Sequence, residues 1–222
     1  VNTGVDLNEL RRRLASFHPR KNGCSRTLAL YSAAIAVADE VALDRTVEIG
    51  RECGLGCRQF YEILLQSYLF LGFPRMLGAA EHLARHFPSQ PADFELQRIS
   101  EEESGVWFTN GLELCQRVYS TNYLQLKQKV ETLAPEVFRW MVIEGYGKVL
   151  SRPGLDIVDR ELAIIACLVI ENREKQLFSH VRGAVNVGAD AELICQVIHD
   201  LGEAAGDGYK ASLSILDRLG LS

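Results

Sequence analysis

An all-α fold is predicted by three properties of the sequence. Apolar residues recur at helical spacing through most of the chain, Gly and Pro separate the periodic runs, and no segment sustains a period-two alternation between hairpin turns. The 222 residues permit one domain or two small ones, and 47% hydrophobic with 24% charged residues is an ordinary balance for a soluble globular protein. A net charge of −5, with no basic patch interleaved with aromatics, excludes a general nucleic-acid binder. Arg11-Arg12-Arg13 reads as a solvated helix face. No membrane partner is expected: Glu171 ends the longest apolar run short of the roughly 18 residues that cross a bilayer. The N-terminus is polar and shows no signal-peptide pattern. Of the six cysteines, Cys24, Cys115, Cys167 and Cys195 lie singly in apolar surroundings and read as small hydrophobes. Cys53 and Cys57 flank Gly54-Leu55-Gly56 without a companion His or second Cys pair, so packing near a helix end is favoured and no metal is expected. This usage fits a reducing, cytoplasmic setting.

The elements follow in order. Leu7, Leu10, Leu14 and Phe17 share a helical face that Pro19 ends. Cys24 to Asp39 is an Ala-rich second helix, apolar on most faces and therefore central. Asp39-Glu40 turns into a third, ending at Gly54. Gln59 to Leu71 is a fourth, and Gly72-Phe73-Pro74 breaks it before a fifth that reaches Phe87. Pro88 to Ser104 is polar and reads as a connector with a short solvated helix. Leu112 to Val118 and Tyr123 to Leu133 are again helical, and Pro135 starts a helix over Glu136 to Leu150.

The organising stretch runs from Asp159 to Asp190. Val158 to Ile170 is apolar almost all round after Arg160-Glu161; Glu171 to Glu174 interrupts it, and Leu177, Val181, Ala184, Val185 and Gly188 begin a new period. A tight helical hairpin turning near Asn172 results. Glu161 then lies about eleven residues before the turn and His180 about eight after it, so at roughly 1.5 Å per residue they reach comparable depth. Carboxylate and imidazole can face each other. Arg173, Gln176, His180 and Gly183 or Ala184 share one face of the second helix. A lone helical His is more often structural than catalytic. Overlaying the halves at an offset of about 134 residues aligns Pro19 with Pro153, Arg26 with Arg160, Gly54 with Gly188 and Gly72 with Gly206.

Arg160-Glu161-Leu162-Ala163-Ile164-Ile165-Ala166, followed by His180-Val181-Arg182-Gly183-Ala184 and then Asn186, Gly188 and Ala189, resembles the carboxymuconolactone decarboxylase family, which includes the alkyl hydroperoxidase D proteins. Glu144-Gly145-Tyr146-Gly147 and Arg152-Pro153-Gly154-Leu155-Asp156 extend the likeness, and residues 62 to 75 independently resemble the family's fourth helix. Two fused family units are therefore expected: a first over 1–88 with a degenerate site, a connector with helices over 89–133, and a second over 134–222 that carries Glu161 and His180. At the matching places the first unit has Thr27 and Thr46, which cannot shuttle a proton near neutral pH. The resemblance also implies a homo-oligomer, with Tyr68 of the first unit supplementing the pocket.

Hydroperoxidase members carry two cysteines where this chain has Arg173 and Gln176, so the peroxidase (peroxiredoxin-type, antioxidant) mechanism lacks its nucleophile. Decarboxylase members need no cysteine, metal or organic cofactor. By resemblance the expected activity is a cofactor-free lyase acting on a small carboxylate or lactone, 4-carboxymuconolactone or a relative. His180 would donate a proton and Glu161 would orient it. Arg173 or Arg152 would bind the substrate carboxylate, with Gln176, Glu144 and Tyr68 near the pocket. A non-catalytic, oligomeric small-molecule-binding protein is the third reading.

Overall fold

The computed structural model describes residues 4–88 and 101–221, so most of the polar stretch expected as a connector lies outside the described residues. Every regular element among them is helical. Helix α1 (Leu7–Ser16) starts at Asp6, whose carboxylate accepts from the Glu9 N–H. Helix α2 (Gly23–Val37) stops at Ala38, which takes a left-handed conformation, and Asp39 then caps α3 (Glu40–Glu52). Helix α4 (Cys57–His86) is two arms broken at Gly72, whose φ of 76° and ψ of 166° only glycine adopts freely. Helix α5 (Glu101–Tyr119) passes through a 3₁₀ turn into α6 (Tyr123–Leu133). Helix α7 (Pro135–Trp140) runs into a π-helical stretch, Met141–Leu150. Helices α8 (Ile157–Ile170), α9 (Glu174–Asn186), α10 (Ala191–Leu201) and α11 (Asp207–Arg218) complete the chain.

The core is the contact of α2 with α8. Both are buried almost all round, from Thr27 to Ala36 in one and from Arg160 to Ile170 in the other, because neither sequence offers a polar face to water. Each folds back on its successor, α2 on α3 and α8 on α9. The bounds of α3 and α9 recur at the offset found in the sequence, as do those of α1 and the π-helical stretch. So do the left-handed residues that end or break helices: Ala38 and Asn172, Gly54 and Gly188, Gly72 and Gly206.

Three expectations are corrected. Helix α5 already includes Glu101, far upstream of Leu112. It crosses the π-helical stretch backbone to backbone: a Cβ at Gly111 would stand 2.0 Å from the Val142 carbonyl oxygen, and one at Gly147 would stand 1.9 Å from that of Trp107. The helix expected over Glu136 to Leu150 changes its winding after Trp140, and at its end the Ser151 N–H reaches back five residues to the Tyr146 oxygen at 2.9 Å. Finally, α4 at 30 residues is long and apolar enough, by length and composition, to cross a membrane. The break at Gly72 leaves neither arm, 57–71 or 73–86, with the roughly 20 residues a crossing takes.

Candidate functional site

The α8–α9 hairpin positions the site. Asn172 makes the left-handed turn (φ 50°) that ends α8 and reverses the chain, as its place in the polar interruption foretold. Glu161, in the second turn of α8, is fully buried; His180, midway along α9, is 7% exposed. His180 Nδ1 lies 2.8 Å from Glu161 Oε2. A carboxylate can only accept, so Nδ1–H donates and Nε2 is the nitrogen left for chemistry. The other carboxylate oxygen, Oε1, is buried without a hydrogen-bond partner.

The surroundings fit the pair closely. One turn beyond His180, a Cβ on Gly183 would stand 3.2 Å from Glu161 Oε2 and 2.8 Å from Val118 Cγ1, so glycine is what makes room for the carboxylate. Phe70, from the first arm of α4, meets the His180 ring edge-on at 5.6 Å between centroids. Tyr119 and Tyr146 meet at 6.1 Å in an edge-to-face arrangement. Burial, reinforced by the Glu161 charge, pushes the Tyr119 phenol up to about 12 and that of Tyr146 well above its ordinary value. Both stay protonated near neutral pH.

Arg160, the neighbour of Glu161, points away into a separate ionic cluster. Its guanidinium is fully buried and donates to Glu62 Oε2 and to the Arg152 carbonyl oxygen, each at 3.0 Å. Burial lowers its pKa, and Glu62 opposes the shift. The equivalent residue in the other half, Arg26, makes a two-pronged contact with Asp200, at 2.7 and 2.5 Å. Burial pushes the Asp200 carboxyl up, and Arg26 works against that.

The sequence-derived candidates separate into four groups. Glu161 and His180 are together. Tyr68 and Glu144 are bonded to each other at 2.5 Å, and Lys148 closes on Glu144 at 3.1 Å. Arg152 is held by Glu62 at 3.0 Å, which removes it as a free clamp for a substrate carboxylate. Arg173 caps α9 from the hairpin turn and Gln176 follows it; both are exposed, Gln176 one helical turn and Arg173 two turns before His180. Sequence reasoning missed the contact of Phe70 with the imidazole and the roles of Tyr119 and Tyr146. Tyr146 stands inside the motif Glu144 to Gly147, whereas nothing local marks Tyr119.

At the corresponding place in the first half the hydroxyls are used up by their own helices. Thr27 donates to the Gly23 oxygen at 2.7 Å and Thr46 to the Ala42 oxygen at 2.9 Å, both fully buried. Three of the thiols are poorly placed for redox work: burial pushes Cys115 up to about 12 and Cys53 up to about 11, and Cys167, wholly inside α8, still higher.

Residues 135–217 match the carboxymuconolactone decarboxylase family, so a domain of that helical type is present from α7 through the π-helical stretch and α8 to α11. Glu161 and His180 both lie inside the match; α5 and α6 lie outside it. The chain is also similar to peroxisomal protein 2 of Schizosaccharomyces pombe, with 23% identity over 160 residues that cover 70% of this chain and 74% of that protein. These similarities are consistent with decarboxylase or antioxidant-type activity on a small molecule.

Proposed function

We propose that the protein is a cofactor-free carboxy-lyase that decarboxylates a small acidic lactone, 4-carboxymuconolactone or a related acid, with Glu161 and His180 as its proton-handling pair. The observation that carries this reading is the buried 2.8 Å contact between His180 Nδ1 and Glu161 Oε2. In such a substrate the electrons of the breaking C–C bond flow into the conjugated carbonyl and leave a dienolate. His180, oriented by the bond from its Nδ1–H to Glu161, delivers a proton from Nε2 to carbon, and solvent returns a proton to Nε2. The lyase reading is preferred to a peroxidase because Arg173 and Gln176 stand where the thiol pair of that mechanism would be. Since Arg152 is engaged by Glu62, the exposed Arg173 is the better candidate to meet an incoming carboxylate, with Gln176 beside it.

In the same reading the chain is a tandem of two family units, 1–88 and 134–222, joined by 89–133. The recurrence of helix bounds and left-handed residues supports the duplication, and Thr27 and Thr46 mark the first unit as having lost its acid/base pair. The first unit still contributes Phe70 to the imidazole of the second. Leu133, Val137 and Trp140, exposed on α6 and α7, are where we place a contact between copies in a homo-oligomer. Six free cysteines fit a reducing compartment such as the cytoplasm.

Carbon dioxide release from a panel of carboxylated lactones and β-keto acids tests the activity. Turnover by the wild type should fall about 10²- to 10⁴-fold in His180→Ala and substantially in Glu161→Gln. Undiminished turnover in both variants would refute the site. Binding of the panel without turnover would favour a non-catalytic binding protein, and peroxide consumption abolished by thiol alkylation would favour the antioxidant chemistry.

A further inference from the structure

Outside the acid/base pair, a cavity of about 210 Å³ opens between α9 and the segment formed by the end of α5 and α6. Its apolar surface comes from Val118, Leu126 and Phe178, and its polar rim includes Lys129, Ser179 and Arg182. Among the described residues no Asp or Glu lines it. Elsewhere Arg26, Arg75, Arg152 and Arg160 sit against carboxylates. Arg182 and Lys129 have no such partner among the described residues; Arg182 lies only over the Phe178 ring, at 5.9 Å. Two cations without counter-charges, facing one partly apolar hollow in an acidic protein, form a receptor for an anion with an apolar body.

We propose that this hollow is a binding site for a small organic anion, an apolar ring system bearing one carboxylate or sulfonate. The ring would lie on Val118, Leu126 and Phe178, and the anionic group would be held by Arg182 and Lys129. The site is distinct from the Glu161–His180 pair, since neither residue lines it, although Val118 of its wall also approaches Gly183 beside that pair. Its α6 wall lies outside the family match. Tyr119 lines the hollow and also feels the Glu161 charge, which gives an occupant one shared side chain with the acid/base pair.

The test is titration of the full chain with 2-naphthoate, and with neutral 2-naphthamide as control, followed by calorimetry and by amide chemical shifts. Saturable one-to-one binding of naphthoate is expected, with shifts at Phe178, Arg182 and the start of α6. Arg182→Gln and Lys129→Gln should each weaken it about tenfold, the scale of one hydrogen bond to a charged group, while leaving the rest of the amide spectrum in place. His180→Ala should leave naphthoate affinity unchanged. The proposal is overturned if wild type shows no saturable binding, if naphthamide binds equally well, if the two charge-removing variants bind as wild type does, or if His180→Ala abolishes binding and so places the anion at the acid/base pair. Because the readout is binding rather than turnover, failure of the lyase reading would leave this result intact.

Discussion

Arg160, fully buried in α8, places its guanidinium 3.0 Å from Glu62, a fully buried carboxylate on α4 in the other half of the chain. Glu62 also pairs with Arg152 and Arg58, so a single acid faces three guanidinium groups across the core. Breaking a buried pair from one side leaves an uncompensated charge. Glu62→Gln should therefore lower the unfolding free energy by about 3–5 kcal/mol, measurable as a shift of the urea midpoint at pH 7. An unchanged midpoint would mean that Arg160 finds water or another acceptor.

The crossing of α5 over the π-helical stretch predicts opposite effects for two glycines in one helix. At Gly111 an added methyl would meet the Val142 carbonyl oxygen at 2.0 Å, and backbone cannot swing aside as a side chain can. Gly111→Ala should destabilise by about 1–3 kcal/mol. At Gly105 nothing stands within 4 Å, so Gly105→Ala should stabilise by about 0.5–1 kcal/mol through helix propensity alone. Thermal unfolding of the two variants in parallel checks the pair, and a destabilised Gly105→Ala would remove the contrast.

Asp39 couples the start of α3 to α1. Its carboxylate accepts from Arg11 and from the Ala42 N–H, and Arg11 first, then Ala42, holds its pKa below the usual carboxylate value against the opposing effect of burial. A depressed native value means that the contribution is present above the unfolded value of about 3.9 and is lost as pH falls through the native one. Asp39→Ala should cost about 1–2 kcal/mol at pH 7, mostly as a lost helix cap because Arg11 is largely in solvent. The gap between wild type and variant should narrow as the pH is taken below about 4. Melting curves between pH 7 and pH 3 measure it.

Much of this arrangement was legible in the sequence because it is encoded locally. Gly72-Phe73-Pro74 announced the break in α4, and the polar run at Glu171 to Glu174 announced the hairpin, which in turn fixed the relative depth of Glu161 and His180. Contacts between distant segments were not legible. The pairing of Arg160 with Glu62 depends on how α4 lies across α8, and no periodicity reports that. Arg152 looked like a free cation for the same reason. The extent of α5 escaped because its first residues are acidic, and the backbone contact at Gly111 and Gly147 became visible only once the helices were packed. Lys129 and Arg182 lie far apart in the chain and carry no shared pattern, so the hollow they flank has no sequence signature.

The edge of Phe70 against His180 ties the fate of one half of the molecule to the other. An N-terminal truncation that spared both Glu161 and His180 would still strip an aromatic wall from the imidazole and admit water to a group that is now almost dry. Retaining the threonine-bearing half is therefore intelligible without assigning it any reaction: it is the lining without which the other half's histidine would sit in a different solvent.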